Sequence, residues 1–419
     1  MEDEIRDEII REKQKEKALS ARKRRNKRNR ILKLLLALLL VIIAAGLVIG
    51  GDILYERWKK AKAERKQVPP QRAAPSISGS LDSNDRNTEE TASTEKTTGE
   101  QKATPGEADV EEKKEQAEFT IDMSFVGDCC MGTDSGAYYE GCMTWCMDNY
   151  PTTYFFDNVR YIFEADDFTL ANCEGAFSDR DLPMRDKGGP GFWFKSDKKN
   201  AQIFADSSIE MVSIDNNHSH DYLEEGFNDT VDALEAAGVK WGYKENILYY
   251  EKEGYRIAIV CTSCYGDEYE VEDTLGWLET AKKNSDFQIV FMHGGSEGVS
   301  EPDYWKIDAM HRFVDAGADL VIGHHPHVLQ PKEIYNGVTI IYSLGNFCFG
   351  GNDYPDPYTM IYKYILTIKD GELAGQADLM IPCYVFTGSY NNWQPAVIED
   401  EEEKQMVLDF MNGDRSSLP

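Results

Sequence analysis

Five times between residues 119 and 327, a short apolar run stops at a side chain able to bind metal or move a proton. Residues 119–126 alternate, with Phe119, Ile121, Met123 and Phe125 on one face as in a strand, and lead to Asp128. Residues 168–171 run into Asn172 and Glu174, 209–214 into Asn217 and His218, and 287–292 into His293. The run 318–322 ends at Gly323 and opens into His324, His325 and His327, three of the chain's seven histidines. Helical patterns at 154–168, 197–206, 226–237 and 303–316 separate these strands. Further strands are predicted at 239–243, 255–262 and 339–342, and antiparallel strands within 359–386. Such alternation predicts an α/β fold, whose chemistry gathers beyond the strands' carboxyl ends.

A lone Asp or His at a strand end is ordinarily a hydrogen-bonded loop residue, and the histidine loop read alone is a turn stiffened by Pro326. Five such endings in succession predict a shared site if the strands lie parallel. Mixed oxygen and nitrogen ligands suit manganese, iron or zinc better than calcium. The number of ligand-type groups suits up to two ions, which together polarise a phosphoryl or carbonyl oxygen and make hydroxide from water. His218, beside Asn217, is placed to protonate a leaving oxygen. A ligand or a core residue is the alternative for it.

The net charge of −29 argues against nucleic acid as a partner. That charge is uneven: about +7 over residues 1–60, about −4 over 61–118 and about −32 beyond. The basic cluster Arg22 to Arg30 precedes an uncharged apolar run at 34–51, flanked by Lys33 and Asp52. A run of this length spans a membrane, and the basic flank holds its amino end in the cytoplasm. The expected layout is a basic cytoplasmic segment (1–30), a transmembrane helix (31–53), a disordered extracytoplasmic linker (54–118), a folded domain (119–395) and an acidic, poorly ordered tail (396–419). The expected location is therefore the cell membrane, single-pass, with the main domain outside.

Nine cysteines are present. Outside the membrane, disulfides are the default reading. A bridge between the pair Cys129/Cys130 and the pair Cys142/Cys146 is expected, with free thiols or a four-cysteine zinc site as alternatives. Cys261 and Cys264 form a C-x-x-C, and Cys173, Cys348 and Cys383 are isolated.

The strings FVGDCCMG, ANCEGAFSD, SIDNNHSHDYLEEGFNDTVDALEAAGVKWG, FMHGGSEG and DAGADLVIGHHPHVLQPKEIYNGVTIIYSLGNF resemble the CapA-type poly-γ-glutamate capsule biosynthesis proteins over about residues 121–349. The resemblance implies a metallophosphoesterase-like two-sheet core flanked by helices. It implies that Asp128, Glu174, Asn217, His293, His325 and His327 stand where calcineurin-type phosphoesterases keep metal ligands, and that His218 holds the general-acid position. Asn172, Asp221 and Glu297 would line the same site. Three departures stand out. The first motif has Cys130 where calcineurin-type enzymes have histidine. The second offers Asn-x-Glu in place of paired aspartates, so one metal is expected to be held weakly. After Asp221 comes Tyr222-Leu223, where relatives tend to have a glycine, and the local turn is expected to differ.

The implied function is synthesis or export of a polyanionic capsule polymer, beside other membrane components of a synthesis complex. A metal-dependent hydrolase acting on another cell-surface substrate, wall material or a phosphate ester, and a noncatalytic assembly scaffold are the alternatives. The acidic domain counts against tight polyglutamate binding, because like charges repel.

Overall fold

The computed structural model describes residues 118–135, 137–350, 357–388 and 390–418. The basic segment, membrane helix and linker expected before residue 118 lie outside them. Among the described residues, no helix is long and apolar enough to cross a membrane.

The strands, in chain order, are β1 (Glu118–Cys130), β2 (Thr133–Asp134), β3 (Phe168–Glu174), β4 (Ala176–Phe177), β5 (Phe194–Ser196), β6 (Met211–Ser213), β7 (Lys240–Gly242), β8 (Leu248–Lys252), β9 (Tyr255–Ser263), β10 (Phe287–His293), β11 (Leu320–His324), β12 (Leu329–Tyr335), β13 (Val338–Leu344), β14 (Asn346–Cys348), β15 (Tyr358–Lys369), β16 (Glu372–Tyr384) and β17 (Ala396–Val397). The helices are α1 (Met143–Asn149), α2 (Arg160–Phe163), α3 (Gln202–Asp206), α4 (Leu223–Ala237), α5 (Glu268–Lys282), α6 (Tyr304–Asp315) and α7 (Glu401–Met411).

Two large mixed sheets result. One runs β17-β16-β15-β1-β3-β6-β7, with β14 also paired to β1; the other runs β12-β13-β11-β10-β9-β8. In each the central strands are parallel: β1, β3, β6 and β7 in the first, β9, β10, β11 and β13 in the second. The five ligand-bearing strands are thus divided between two sheets.

Strand alternation builds the layers. Ile121, Met123 and Phe125 of β1 face inward with Ile257 and Ile259 of β9, Phe287, Ile289 and Phe291 of β10, and Tyr362 and Leu366 of β15. The intervening Val290 and Met292 of β10 face outward and bury Met310 and Phe313 of α6 and Leu278 of α5. Behind the first sheet, Val126 packs with Phe163, Phe204, Leu234 and Phe347. The order is helices, sheet, sheet, helices: an α/β sandwich with its main core between the sheets.

Three expectations need correction. The acidic tail is ordered. Asp400 caps α7 by accepting from the Glu403 amide. Glu401, Glu402 and Glu403 form its first turn, where negative charge suits the helix dipole. Val407, Phe410 and Met411 enter the inter-sheet core. The disulfide is not formed, since all nine cysteines are buried free thiols. Cys129 and Cys130 donate to the Gly127 and Gly132 carbonyls, and the Cys142 sulfur caps α1 by accepting from the Trp145 amide. No cysteine joins a metal-type cluster among the described residues. The turn after Asp221 keeps a glycine-like shape without glycine, because Leu223 has φ of 58°.

Candidate metal centre

Strand register lines up the site before any side chain is considered. Asp128 on β1 is paired with Asn172 on β3 and with Asn346 on β14, and His293 on β10 is paired with His324 on β11. The backbone closes tightly here: the Asp128 amide donates to the Gly345 carbonyl at 2.8 Å. A Cβ on Gly127 would lie 2.1 Å from that same oxygen, so only glycine admits the crossing.

Asp128 is fully buried. Its Oδ1 accepts from Asn172 Nδ2 at 2.7 Å, and its Oδ2 from the His325 amide at 3.2 Å. His327 Nδ1 lies 3.2 Å from Oδ2, and His324 Nδ1 3.4 Å from Oδ1. Burial pushes this carboxyl up, but His324 and His327 outweigh it and hold it well below the usual range. On His327 burial opposes charge, while Asp128 and Glu174 favour it and raise the imidazole to about 9. Asn346 Oδ1 lies 2.8 Å from the same Nδ1.

The second sheet supplies the facing nitrogens. His293 Nε2 is 2.9 Å from Asn217 Oδ1, 2.9 Å from His325 Nδ1 and 3.9 Å from Glu174 Oε1. Burial and the neighbouring His325 hold His293 well below its ordinary value, and burial with His327 takes His325 down to about 3. Both are therefore neutral imidazoles, the form that ligates metal. His325 and His327 have φ of 90° and 60°, left-handed values that a non-glycine residue adopts at a cost of about 1–3 kcal/mol. Pro326 lies between two bends that turn the His327 ring to Asp128 and the His325 ring to His293.

Glu174 lies between these groups. It is buried, and burial holds its carboxyl well above the usual range. Its Oε1 accepts from Asn172 Nδ2 at 3.2 Å, whereas its Oε2 has no hydrogen-bond partner among the described residues. An unanswered carboxylate oxygen at this depth is costly unless a cation meets it. Ligand atoms of Asp128, Glu174 and His293 lie within 4.8 Å of one another, as do those of Glu297, His325 and His327. The residues present fit divalent metal.

Opposite Glu174, His218 Nδ1 and Asp221 Oδ2 are 2.7 Å apart, and His218 Nε2 is 3.7 Å from Glu174 Oε2. Asp221 is fully buried; it also accepts from the Phe194 amide and pairs with Lys187 Nζ at 2.5 Å. Asp221 thus orients the ring and leaves Nε2 facing the centre.

All ten residues singled out from the sequence converge here, with different parts. Asn172 is a hub whose Nδ2 reaches Asp128, Glu174 and His293 Nδ1, and whose Oδ1 accepts from Asn216. Glu297 stands at the rim, 54% exposed, with Oε1 4.0 Å from His325 Nε2. His324 lies under the site against Phe291, at 4.1 Å between ring centres. Cys130, in the place of a histidine, turns its thiol to a backbone carbonyl and joins neither ligand group.

Several contributors were missed. Asn216 braces Asn172, the Cys173 carbonyl and the His218 amide. Asn346, within the turn Ser343-Leu344-Gly345-Asn346, holds His327. Lys306 is fully buried under the histidine loop, 3.4 Å from the His324 carbonyl and 3.3 Å from Gln330 Oε1, and burial takes its amine down to about 7. The two asparagines lie next to residues or motifs that the sequence singles out. Lys306 gave no signal, because a lysine in an amphipathic helix reads as solvent-facing.

The sequence model of the family described as bacterial capsule synthesis protein PGA_cap matches residues 122–351. The PGA biosynthesis protein CapA of Bacillus subtilis (strain 168) is 29% identical over 266 residues, 58% of this chain and 67% of that one. The capsule biosynthesis protein CapA of Bacillus anthracis is 26% identical over 253 residues, 55% of this chain and 60% of that one. Among solved structures, a hypothetical protein from Thermus thermophilus aligns with a TM-score of 0.39 and 13% identity, over 62% of this chain and 99% of that one.

Proposed function

Because the chain belongs to the bacterial capsule synthesis protein family PGA_cap, we propose that it serves poly-γ-glutamate capsule synthesis or export as a membrane-anchored, metal-dependent phosphoesterase with a metallophosphoesterase-like core. The observation that carries the enzymatic reading is the unanswered Glu174 oxygen, set between Asp128, the histidines His293, His325 and His327, and the His218–Asp221 pair.

Asp128, Glu174, Asn217, His293, His325 and His327 would hold up to two ions, manganese, iron or zinc, with Glu297 closing the exposed side. When bound, such ions withdraw charge from a phosphoryl oxygen and acidify water. The protein's own part is orientation and proton transfer. Asp221 fixes the His218 ring through Nδ1, and Nε2, which faces the centre, would hold the proton for the leaving oxygen. A water oxygen would bond to phosphorus and release a proton to solvent as the phosphorus–oxygen bond to the leaving group breaks, and the His218 proton would pass to the leaving oxygen. Asn172 and Asn216 hold the carboxylates and the His218 backbone in register.

The test is elemental analysis beside kinetics on phosphate esters. His327→Ala removes a ligand and is expected to lose at least one equivalent of metal and all phosphoesterase activity, with the fold kept. His218→Ala is expected to keep its metal and lose roughly 10²–10⁴-fold in turnover, the contribution of a general acid. If both variants lose metal equally, His218 is a ligand. If the wild-type protein, resupplied with manganese, iron or zinc, binds none, the scaffold reading replaces this one.

A further inference from the structure

A cleft of about 260 Å³ opens directly on the His218 side of the site. Its lining includes His218, His327 and Glu297, and five aromatic side chains form its largest apolar surfaces. Phe192 and Phe194 stack nearly parallel, 6.0 Å apart with 7° between planes, and Phe349 meets Phe194 edge-on at 5.7 Å. Phe194 lies 4.6 Å from the His218 ring, and Phe349 4.6 Å from the His327 ring. Trp393 and Tyr139 line the cleft as well.

The charge of the cleft is equally specific. Among the described residues lining it there is no lysine or arginine, while Asp134 and Glu297 are acidic. Lys187, the nearest cation to His218, is engaged by Asp221 and by the Phe192 carbonyl. The Thr133 hydroxyl already accepts from the Thr144 amide, and Asp134 accepts from the Trp193 amide. Positive charge is confined to the inner end, at His327 and the metal centre, so along the aromatic wall an anionic chain would find no cation, whereas a neutral flat group would gain aromatic contact. Phe192 is 63% exposed, so its face is open to such a group.

Resting on the phosphoesterase reading above, we propose that this cleft is the leaving-group subsite and takes a neutral ring-bearing alcohol, aromatic or pyranose, esterified to the phosphoryl group. The geometry sets the order: the oxygen protonated by buried His218 lies at the inner end, and the ring it belongs to lies outward along Phe194 and Phe192. Polyglutamate itself is then not the body held in this cleft.

The test uses the full chain in detergent. Saturation-transfer NMR with benzyl alcohol and with methyl glucoside reports the cleft alone and tells an aromatic ring from a sugar. Inhibition constants for phenylphosphonate and methylphosphonate, measured on manganese-loaded protein, report its link to the phosphoryl site. One neutral ring is expected to bind, and phenylphosphonate to bind about five- to tenfold tighter than methylphosphonate. Phe192→Ala should abolish both effects and leave methylphosphonate unchanged; Phe192→Leu, which keeps bulk without a flat face, should do nearly the same. Equal affinity for the two phosphonates, or a ring preference unmoved by Phe192→Ala, overturns the subsite and leaves the phosphoesterase reading standing. Ring binding lost in Phe192→Ala without binding of either phosphonate keeps the cleft and overturns the phosphoesterase reading. If neither rings nor phosphonates bind, both fall.

Discussion

Asp166 stands where a carboxylate has little to gain from charge. It is half-buried, one oxygen accepts from Thr169 Oγ1 at 2.9 Å, and the other has no partner among the described residues. Burial lifts its pKa to about 7, against the weaker pull of Ser124, Thr169 and Lys363. The folded state therefore holds a proton that the unfolded chain releases near pH 4. Stability is full below that pH and falls as pH rises through about 7. Asp166→Asn is expected to raise stability by about 1–3 kcal/mol at pH 8 and by nothing at pH 4. Urea unfolding at the two pH values measures it, and an equal effect at both would contradict the assignment. This residue was invisible in the sequence, since an Asp in Glu-Ala-Asp-Asp ahead of a strand reads as a solvated turn. The ligand residues were legible for the opposite reason. Asp128, Glu174 and His293 each stand at the end of an apolar run; register brings the first two together within one sheet, and the facing sheet brings His293 to them.

Among elements, α7 shows how composition misleads where periodicity does not. Its three leading glutamates, after Glu399 and Asp400, read as a tail, while Met406, Val407, Phe410 and Met411 recur at helical spacing. Phe410 is buried in the inter-sheet core, and Phe410→Ala is expected to cost about 3–5 kcal/mol, seen as a lower denaturation midpoint with unchanged metal content. A solvated tail would show no change. Helix α5 escaped the sequence reading altogether. Five acidic residues among its fifteen hide the buried Val271, Thr274, Leu278 and Ala281. Strand β12 escaped too, because Pro331 interrupts it; it lies at the edge of its sheet, where proline is tolerated. The central parallel strands, buried on both faces, were the easiest to find.

For the whole molecule, the fold class and the five strand endings were legible in the residues, and the two-sheet core came from the family resemblance; which strand joins which sheet was not legible, because pairing between distant strands leaves no local mark. The expected topology carries its own test. Protease added to intact cells with a permeable wall should release the domain by cutting within about residues 61–118; full protection would place the domain on the other side of the membrane. Finally, Asp128 and Glu174 belong to one sheet, and His293 and the histidine loop to the other. An ion shared among them is a rivet through the open end of the sandwich. Saturation at a hundred times Kd would add about 2.7 kcal/mol, visible as a chelator-sensitive rise in melting temperature. Metal supply would then govern how long each copy of the folded domain survives.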